Sequence, residues 1–231
     1  MQAVPPLPAR RCHLVFQPIV ALADASVVAH EALLRVDGSS PVKLIAAVEA
    51  AGETLDLDCS VADLVLRDAG SLPGRLHLNV SAATAQRHAE AFVAHLAAAA
   101  ARAGVHPERL VVEVTETAPI LDLAAIADFA DALHGLGCGL CADDVGSGSL
   151  RAAHLGAVDW DLAKIGADLV CRSGRPARRS EARILGAARE RDIAVVVEGV
   201  ADLAETQRLA ALGARLGQAF IFGRPARLRS A

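Results

Sequence analysis

RLVVEVTE at residues 109–116, the stretch carrying Leu123, Ile126, Ala130 and Leu133, and GLCADDVG at residues 139–146 form the unit from which the architecture can be read. The outer two are short apolar runs ending in acids. The middle stretch spaces its apolar residues three and four apart, so the unit reads strand, helix, strand. Two strands separated by a helix of ten or more residues imply parallel pairing through a crossover. The alternation continues both ways, through HLVFQPIVAL (13–22), VVAHEALLRV (27–36) and RLHLNVS (75–81) upstream, and WDLAKIG (160–166), IAVVVEGV (193–200) and RLGQAFIFG (215–223) downstream. Helical stretches are expected after residue 36 and between all later runs, including between GLCADDVG and WDLAKIG. Eight such runs predict an α/β fold, a closed TIM-like (β/α)8 barrel. The first two, joined only by Ala23-Asp24-Ala25-Ser26, predict a hairpin that leaves one strand near the N-terminus antiparallel.

Helix starts are marked by Ser40 before Pro41, read as an N-cap with proline in the first turn, and by Asp202 with Glu205 three residues on, a capping-box spacing. Residues 1–11 contain Pro and Arg without a period and read as a linker or tail, leaving residues 12–231 for the barrel. Hydrophobic residues make up 53% of the 231 and charged residues 22%, the composition of a globular chain with a substantial core. No apolar run reaches the length of a membrane span, and the N-terminus lacks the apolar centre of a signal peptide, so a soluble cytoplasmic protein is expected. A net charge of −4 and 3% aromatic content remove the basic field and stacking residues of a nucleic-acid binder, and no DNA partner is expected. Five scattered cysteines make a poor disulfide framework, and Cys138 and Cys141, three apart in a strand, face opposite sides and read as two core thiols. Of 23 basic residues only Lys43 and Lys164 are lysines, which makes a lysine inside an apolar run conspicuous.

Strands buried on both faces should be nearly continuous apolar runs, yet ionisable groups and amides interrupt them, and in seven of the eight they mark a candidate site. These are Glu31, Asn79, Glu113 with Glu116, Asp143 with Asp144, Lys164, Glu198 and Gln218. Any one strand-end acid is more often a helix cap or a surface ion pair. Seven together, in a barrel whose strand ends meet at one mouth, predict a single site. Carboxylates crowded in a low-dielectric mouth repel one another unless cations neutralise them. Oxygen donors without His or Cys suit hard ions such as Mg²⁺ or Mn²⁺, and the adjacent Asp143 and Asp144 are a natural pair for two of them, an arrangement used for attack of water on phosphodiesters. Lys164 would orient the water or stabilise developing charge. Arg35, four residues after Glu31 on the same strand face, either reaches a ligand phosphate or pairs with an acid. The Gly/Ser loop after Asp144 either cradles a phosphate or is an ordinary connection.

In order and spacing, Phe16-Gln-Pro-Ile-Val20, Glu31-Ala-Leu-Leu-Arg35, Asn79-Val-Ser81, Glu113-Val-Thr-Glu116, Asp143-Asp144 with Gly146 and Gly148, Lys164-Ile165, Glu198-Gly-Val200, and Gln218 before Phe220 and Gly223-Arg-Pro225 resemble the EAL family of cyclic di-GMP phosphodiesterase domains from about Phe16 to Pro225. The resemblance implies metal-dependent hydrolysis of cyclic di-GMP to linear pGpG, ending a bacterial second-messenger signal, with two Mg²⁺ or Mn²⁺ ions. It implies that Glu31, Asn79, Glu113 and Asp143 hold the first ion, Asp143 bridging, with Asp144 on the second. Lys164 and Glu198 then hold and activate the water, Gln218 gives a supporting polar contact, Glu116 anchors the loop after Asp144, Arg35 contacts phosphate and Asp58 contacts the ligand. The family also implies a possible homodimer and a sensor or diguanylate cyclase module in a longer parent chain. Three places depart from the family pattern: Val145, Ser147, Ser149, Leu150 and Arg151 in the loop, Gly166 in place of an aspartate after Lys164-Ile165, and Ala219 in place of a glycine after Gln218. The alternatives are a catalytically weak cyclic di-GMP receptor or a protein-interaction barrel with an altered loop.

Overall fold

A computed structural model of the chain describes residues 12–115, 120–148, 150–172 and 174–228. The proposed tail of residues 1–11 and Glu116 lie outside the described residues. Strands β1 (Cys12–Ala21), β2 (Val27–Val36), β3 (Arg75–Ser81), β4 (Leu110–Thr115), β5 (Gly139–Ala142), β6 (Leu162–Ile165), β7 (Ala194–Glu198) and β8 (Leu216–Gln218) close into a barrel in sequence order. β1 is antiparallel to both neighbours and every other neighbouring pair is parallel. The β1–β2 hairpin follows from the shortness of its link, in which Asp24 accepts bonds from the Ser26 amide at 2.9 Å and the Ser26 hydroxyl at 2.7 Å.

Helices α1 (Val42–Ala51) and α2 (Thr54–Asp68) connect β2 to β3, and α3 (Ala82–Arg87) and α4 (Ala89–Ala103) connect β3 to β4. α5 (Leu123–Leu136) leads into β5, α6 (Ala167–Val170) and α7 (Arg175–Arg189) lie between β6 and β7, and α8 (Leu203–Ala211) precedes β8. Two local expectations are corrected. No α-helix lies among the described residues between β5 and β6, where a 3-10 turn (Ala152–Gly156) takes its place, in a stretch broken by Gly146, Gly148 and Gly156. Ser40 does not cap α1: Pro41 stands at the N-cap position with no side-chain bond, and its carbonyl accepts from Ile45. Asp202 does cap α8, accepting from the Glu205 amide at 2.8 Å, while the Glu205 carboxylate turns to Arg208 instead of closing a box.

The period-two alternation of the strands separates two cores. Outward residues such as Val112, Val114 and Leu140 pack under the helices with Phe92, Ile126, Phe129 and Leu133. Inward residues Ile19, Ala29, Val111, Cys141, Leu162 and Val196 form a small apolar plug inside the barrel. Cys138 belongs to the outer core and Cys141 to the inner one, both as free buried thiols.

Candidate active site

The plug is the floor of the site. Two residues further toward the C-terminal end of each parallel strand the next inward side chain is polar: Glu31 above Ala29, Glu113 above Val111, Asp143 above Cys141, Lys164 above Leu162 and Glu198 above Val196. Asn79 and Gln218 occupy the same level on β3 and β8, since Asn79 pairs with Glu113 and Gln218 with Glu198. β7 ends sharply here, because Gly199 has φ +64° and a Cβ on it would lie 2.5 Å from the Ala167 Cβ. Alternation on eight strands thus converts residues up to 187 positions apart into one polar ring over an apolar base.

Lys164 stands at its centre, with 1% of its side chain exposed. Its Nζ lies 3.0 Å from Glu31 Oε2, 3.0 Å from Glu113 Oε2, 2.7 Å from Glu198 Oε1 and 3.8 Å from Asp143 Oδ1. Asn79 Nδ2 donates to Glu31 Oε1 at 2.8 Å and Gln218 Nε2 to Glu31 Oε2 at 2.5 Å. Two buried residues to which the sequence reading gave no role also join the ring. Gln17 of β1, paired with Glu31 across the hairpin, accepts from Gln218 at 3.4 Å and donates to the Gly223 carbonyl at 3.2 Å. The imidazole of His77 lies with Nδ1 2.5 Å from Glu113 Oε1. Both had the same available signal, a polar residue two positions from an inward neighbour on its own strand.

The electrostatics show how much charge one ammonium must carry. Burial alone would raise Glu31, but Lys164 and the bonds from Asn79 and Gln218 hold it down to about 2. Burial pushes Glu113 up to about 8, Lys164 only partly opposing it. It also raises Asp143 well above its ordinary value, and raises Glu198. Lys164 stays charged because four carboxylates outweigh its own desolvation. Burial and the Lys164 charge keep His77 neutral, lowered to about 3. Four acids facing one lysine cannot all stay ionised in a low-dielectric mouth unless further cations join them. Among the described residues the carboxylates close on Lys164, and no three are set around a point that a metal would fill. The all-oxygen donor set and its unbalanced charge nevertheless fit hard divalent cations.

A pH dependence follows. An acid raised in the folded state contributes stability below its unfolded pKa and loses it as pH rises through the folded value. In EDTA the melting temperature is therefore expected to fall between pH 5 and about 8, the span that Glu113 titrates, with Asp58 at about 7 adding to it. Glu31 acts oppositely, losing stability only as pH falls toward about 2. Added Mn²⁺ should flatten the decline. A melting temperature independent of pH in EDTA would mean that Lys164 alone balances the ring.

The remaining sequence candidates fall around this ring. Asp144 follows Asp143 with a left-handed backbone, φ +52°, and lies outside the four carboxylates that close on the Lys164 ammonium. Its carboxylate occupies the space over Gly166, where a Cβ would collide with it. Val145 and Leu150 of the altered loop are buried in the outer core. The ring is flanked by two cavities that share Glu31 and Asp143. One, of about 590 Å³, is also lined by Lys164, Glu198, Gln218 and Phe220. The other, of about 290 Å³, is lined by Arg35, Asn79 and Asp58. Arg35 donates to its neighbouring Leu34 carbonyl at 2.9 Å. Asp58 of α2 lies apart from the ring, buried and accepting from the Ser81 amide at 3.2 Å; burial lifts it to about 7.

Comparison with known proteins matches residues 3–225 to the EAL domain family model. The Pseudomonas aeruginosa protein named cyclic di-GMP phosphodiesterase NbdA is 29% identical over 223 residues, covering 92% of this chain and 28% of its own length. Among solved structures, BlrP1 of Klebsiella pneumoniae, in calcium and manganese complexes with cyclic di-GMP, is 31% identical with a TM-score of 0.83, covering 97% of this chain and 58% of its own. The PaMucR phosphodiesterase in complex with c-di-GMP is 25% identical with a TM-score of 0.84, covering 94% of this chain and 97% of its own. The chain spans about a third or less of the curated relatives it matches.

Proposed function

The chain belongs to the EAL domain family, and on that premise we propose that it is a cyclic-guanylate-specific phosphodiesterase, hydrolysing cyclic di-GMP to linear pGpG with two divalent ions, Mg²⁺ or Mn²⁺. The observation that carries the reading is the ring of four carboxylates around one buried lysine, with more negative charge than the lysine balances. Glu31, Asn79, Glu113 and Asp143 would hold the first ion and Asp144 the second; ions there would supply Lewis-acid activation of water and of the phosphodiester.

The chain's own residues divide the remaining work. Glu198, with 21% of its side chain exposed, is the ring acid most open to the cavity and takes the proton of the attacking water. Lys164, 2.7 Å away, orients Glu198 and offsets negative charge that builds on the phosphate. Asn79 and Gln218 fix the two oxygens of Glu31. Arg35 meets a phosphate, and Asp58 accepts from the ligand in the smaller cavity. Two cavities meeting at Glu31 and Asp143 suit a ligand with two arms and a reacting group between them.

The placement of Asp144 over Gly166 favours a second reading, a cyclic di-GMP receptor with slow turnover. Single-turnover hydrolysis with Mg²⁺, Mn²⁺, Ca²⁺ or EDTA, resolving pGpG by chromatography, separates the two. Metal-dependent pGpG that stops in EDTA supports the enzyme. Tight nucleotide binding without product supports the receptor, and neither would leave a protein-interaction barrel. The length of the relatives supports a place beside a sensor or diguanylate cyclase module, and the family supports a homodimer. Among the described residues no helix is long and apolar enough to cross a membrane, and a second messenger as substrate supports a site in the cytoplasm.

A further inference from the structure

The floor of the barrel has one inconsistency. The inward residues two positions below Glu31, Glu113, Asp143, Lys164, Glu198 and Gln218 are Ala29, Val111, Cys141, Leu162, Val196 and Leu216, all apolar. Below Asn79 the same position is His77, with 1% of its side chain exposed. An imidazole placed in an apolar layer costs free energy unless its polar atoms are bonded. His77 has one such bond, from Nδ1 to Glu113 Oε1 at 2.5 Å. The other oxygen of the same carboxylate, Oε2, faces the ring, 3.0 Å from Lys164 Nζ.

We propose that His77 is a positioning residue that ties down Oε1 of Glu113 from below, so that Glu113 presents Oε2 alone to a cation in the ring. The inference rests on the metal-dependent reading of the site. With a cation in the ring Glu113 is ionised and only accepts, so the proton of the bond then sits on Nδ1 of a neutral imidazole. Untied, the carboxylate is free to rotate about its last torsion and share both oxygens with Lys164, in competition with a metal. Groups that orient a ligating side chain in this way change metal affinity by about 10–100-fold when removed.

The test is titration with Mn²⁺ alone, followed by electron paramagnetic resonance of the free ion, on the wild-type chain and on His77→Leu, His77→Asn and His77→Gln, with melting in EDTA to report folding. Asparagine carries a donor on Cγ, where histidine carries Nδ1. Leucine fills similar space without a donor, and glutamine sets the donor one carbon further out. The expected result is a Mn²⁺ affinity about 10–100-fold weaker for His77→Leu and largely restored in His77→Asn. Wild-type affinity in His77→Leu, or equal weakening in folded Leu and Asn variants, overturns the proposal. If His77→Leu shows no cooperative melt, the Asn and Gln variants decide: affinity kept by Asn and lost by Gln supports the tie, and equal affinities refute it. A wild-type chain that binds no Mn²⁺ refutes the metal-dependent reading itself, and the tie with it, an outcome distinct from the others.

Discussion

Glu31→Ala is expected to lower single-turnover hydrolysis of cyclic di-GMP by about 10²–10³-fold or more, the order lost when one preorganised charge interaction leaves an active site. Three donors converge on this carboxylate: Asn79 at 2.8 Å, Gln218 at 2.5 Å and Lys164 at 3.0 Å. Removing it takes away a proposed metal ligand and also the acceptor that holds two amides and the lysine in place. Glu198→Gln tests the other half of the assignment, because it keeps the shape of the side chain and removes its capacity to take a proton together with its charge beside Lys164. A loss of about 10²–10⁴-fold is expected there. The two variants separate by Mn²⁺ titration: Glu31→Ala weakens binding, whereas Glu198→Gln lowers the rate with affinity largely kept. Hydrolysis surviving both changes would refute the site. A rate loss in Glu198→Gln wholly explained by lost Mn²⁺ would make Glu198 a ligand instead of a base.

Much of this was legible because a barrel obeys two simple periodicities. Alternation of apolar strands with amphipathic helices settled eight strands and their order, and the four-residue link settled the hairpin. Polar residues at strand ends were legible as a cluster because an ionisable group in a run such as LVVEVT is costly to bury alone, and seven such runs meet at one mouth. The missing information was of a different kind. Gln17 and His77 sit in apolar runs short of the strand-end positions where Asn79 and Gln218 lie, so neither was assigned to the site; the register and contacts that set them against Glu31 and Glu113 revealed them. Asp144 could be placed next to Asp143 in sequence, but not the direction of its carboxylate, which depends on a left-handed backbone and on the absence of a side chain at Gly166. The connection from β5 to β6 escaped because helical spacing is weak evidence in a segment interrupted by three glycines.

Lys164→Met is expected to have the largest effect on stability. Two terms oppose each other. The mutation relieves the cost of burying an ammonium, which is several kcal/mol. It also leaves Glu31, Glu113, Asp143 and Glu198 facing one another without their common cation, all within 4 Å of where Nζ was. One burial cost is removed while four carboxylates lose their common cation, so the second term wins. Removing one partner of a buried ion pair costs about 3–5 kcal/mol, which for a domain of this size lowers the melting temperature by roughly 6–20 °C. The sign of the pH dependence is the sharper test. Without Lys164 the folded carboxylates are raised further, so the penalty in EDTA is greatest above pH 8 and shrinks as acid protonates them. A divalent cation should do what acid does, and Mn²⁺ should stabilise Lys164→Met more than the wild-type chain. Melting of Lys164→Met unchanged at pH 8 in EDTA would show that the ring does not depend on its lysine. A loss that neither acid nor Mn²⁺ reverses would assign Lys164 to packing and not to charge.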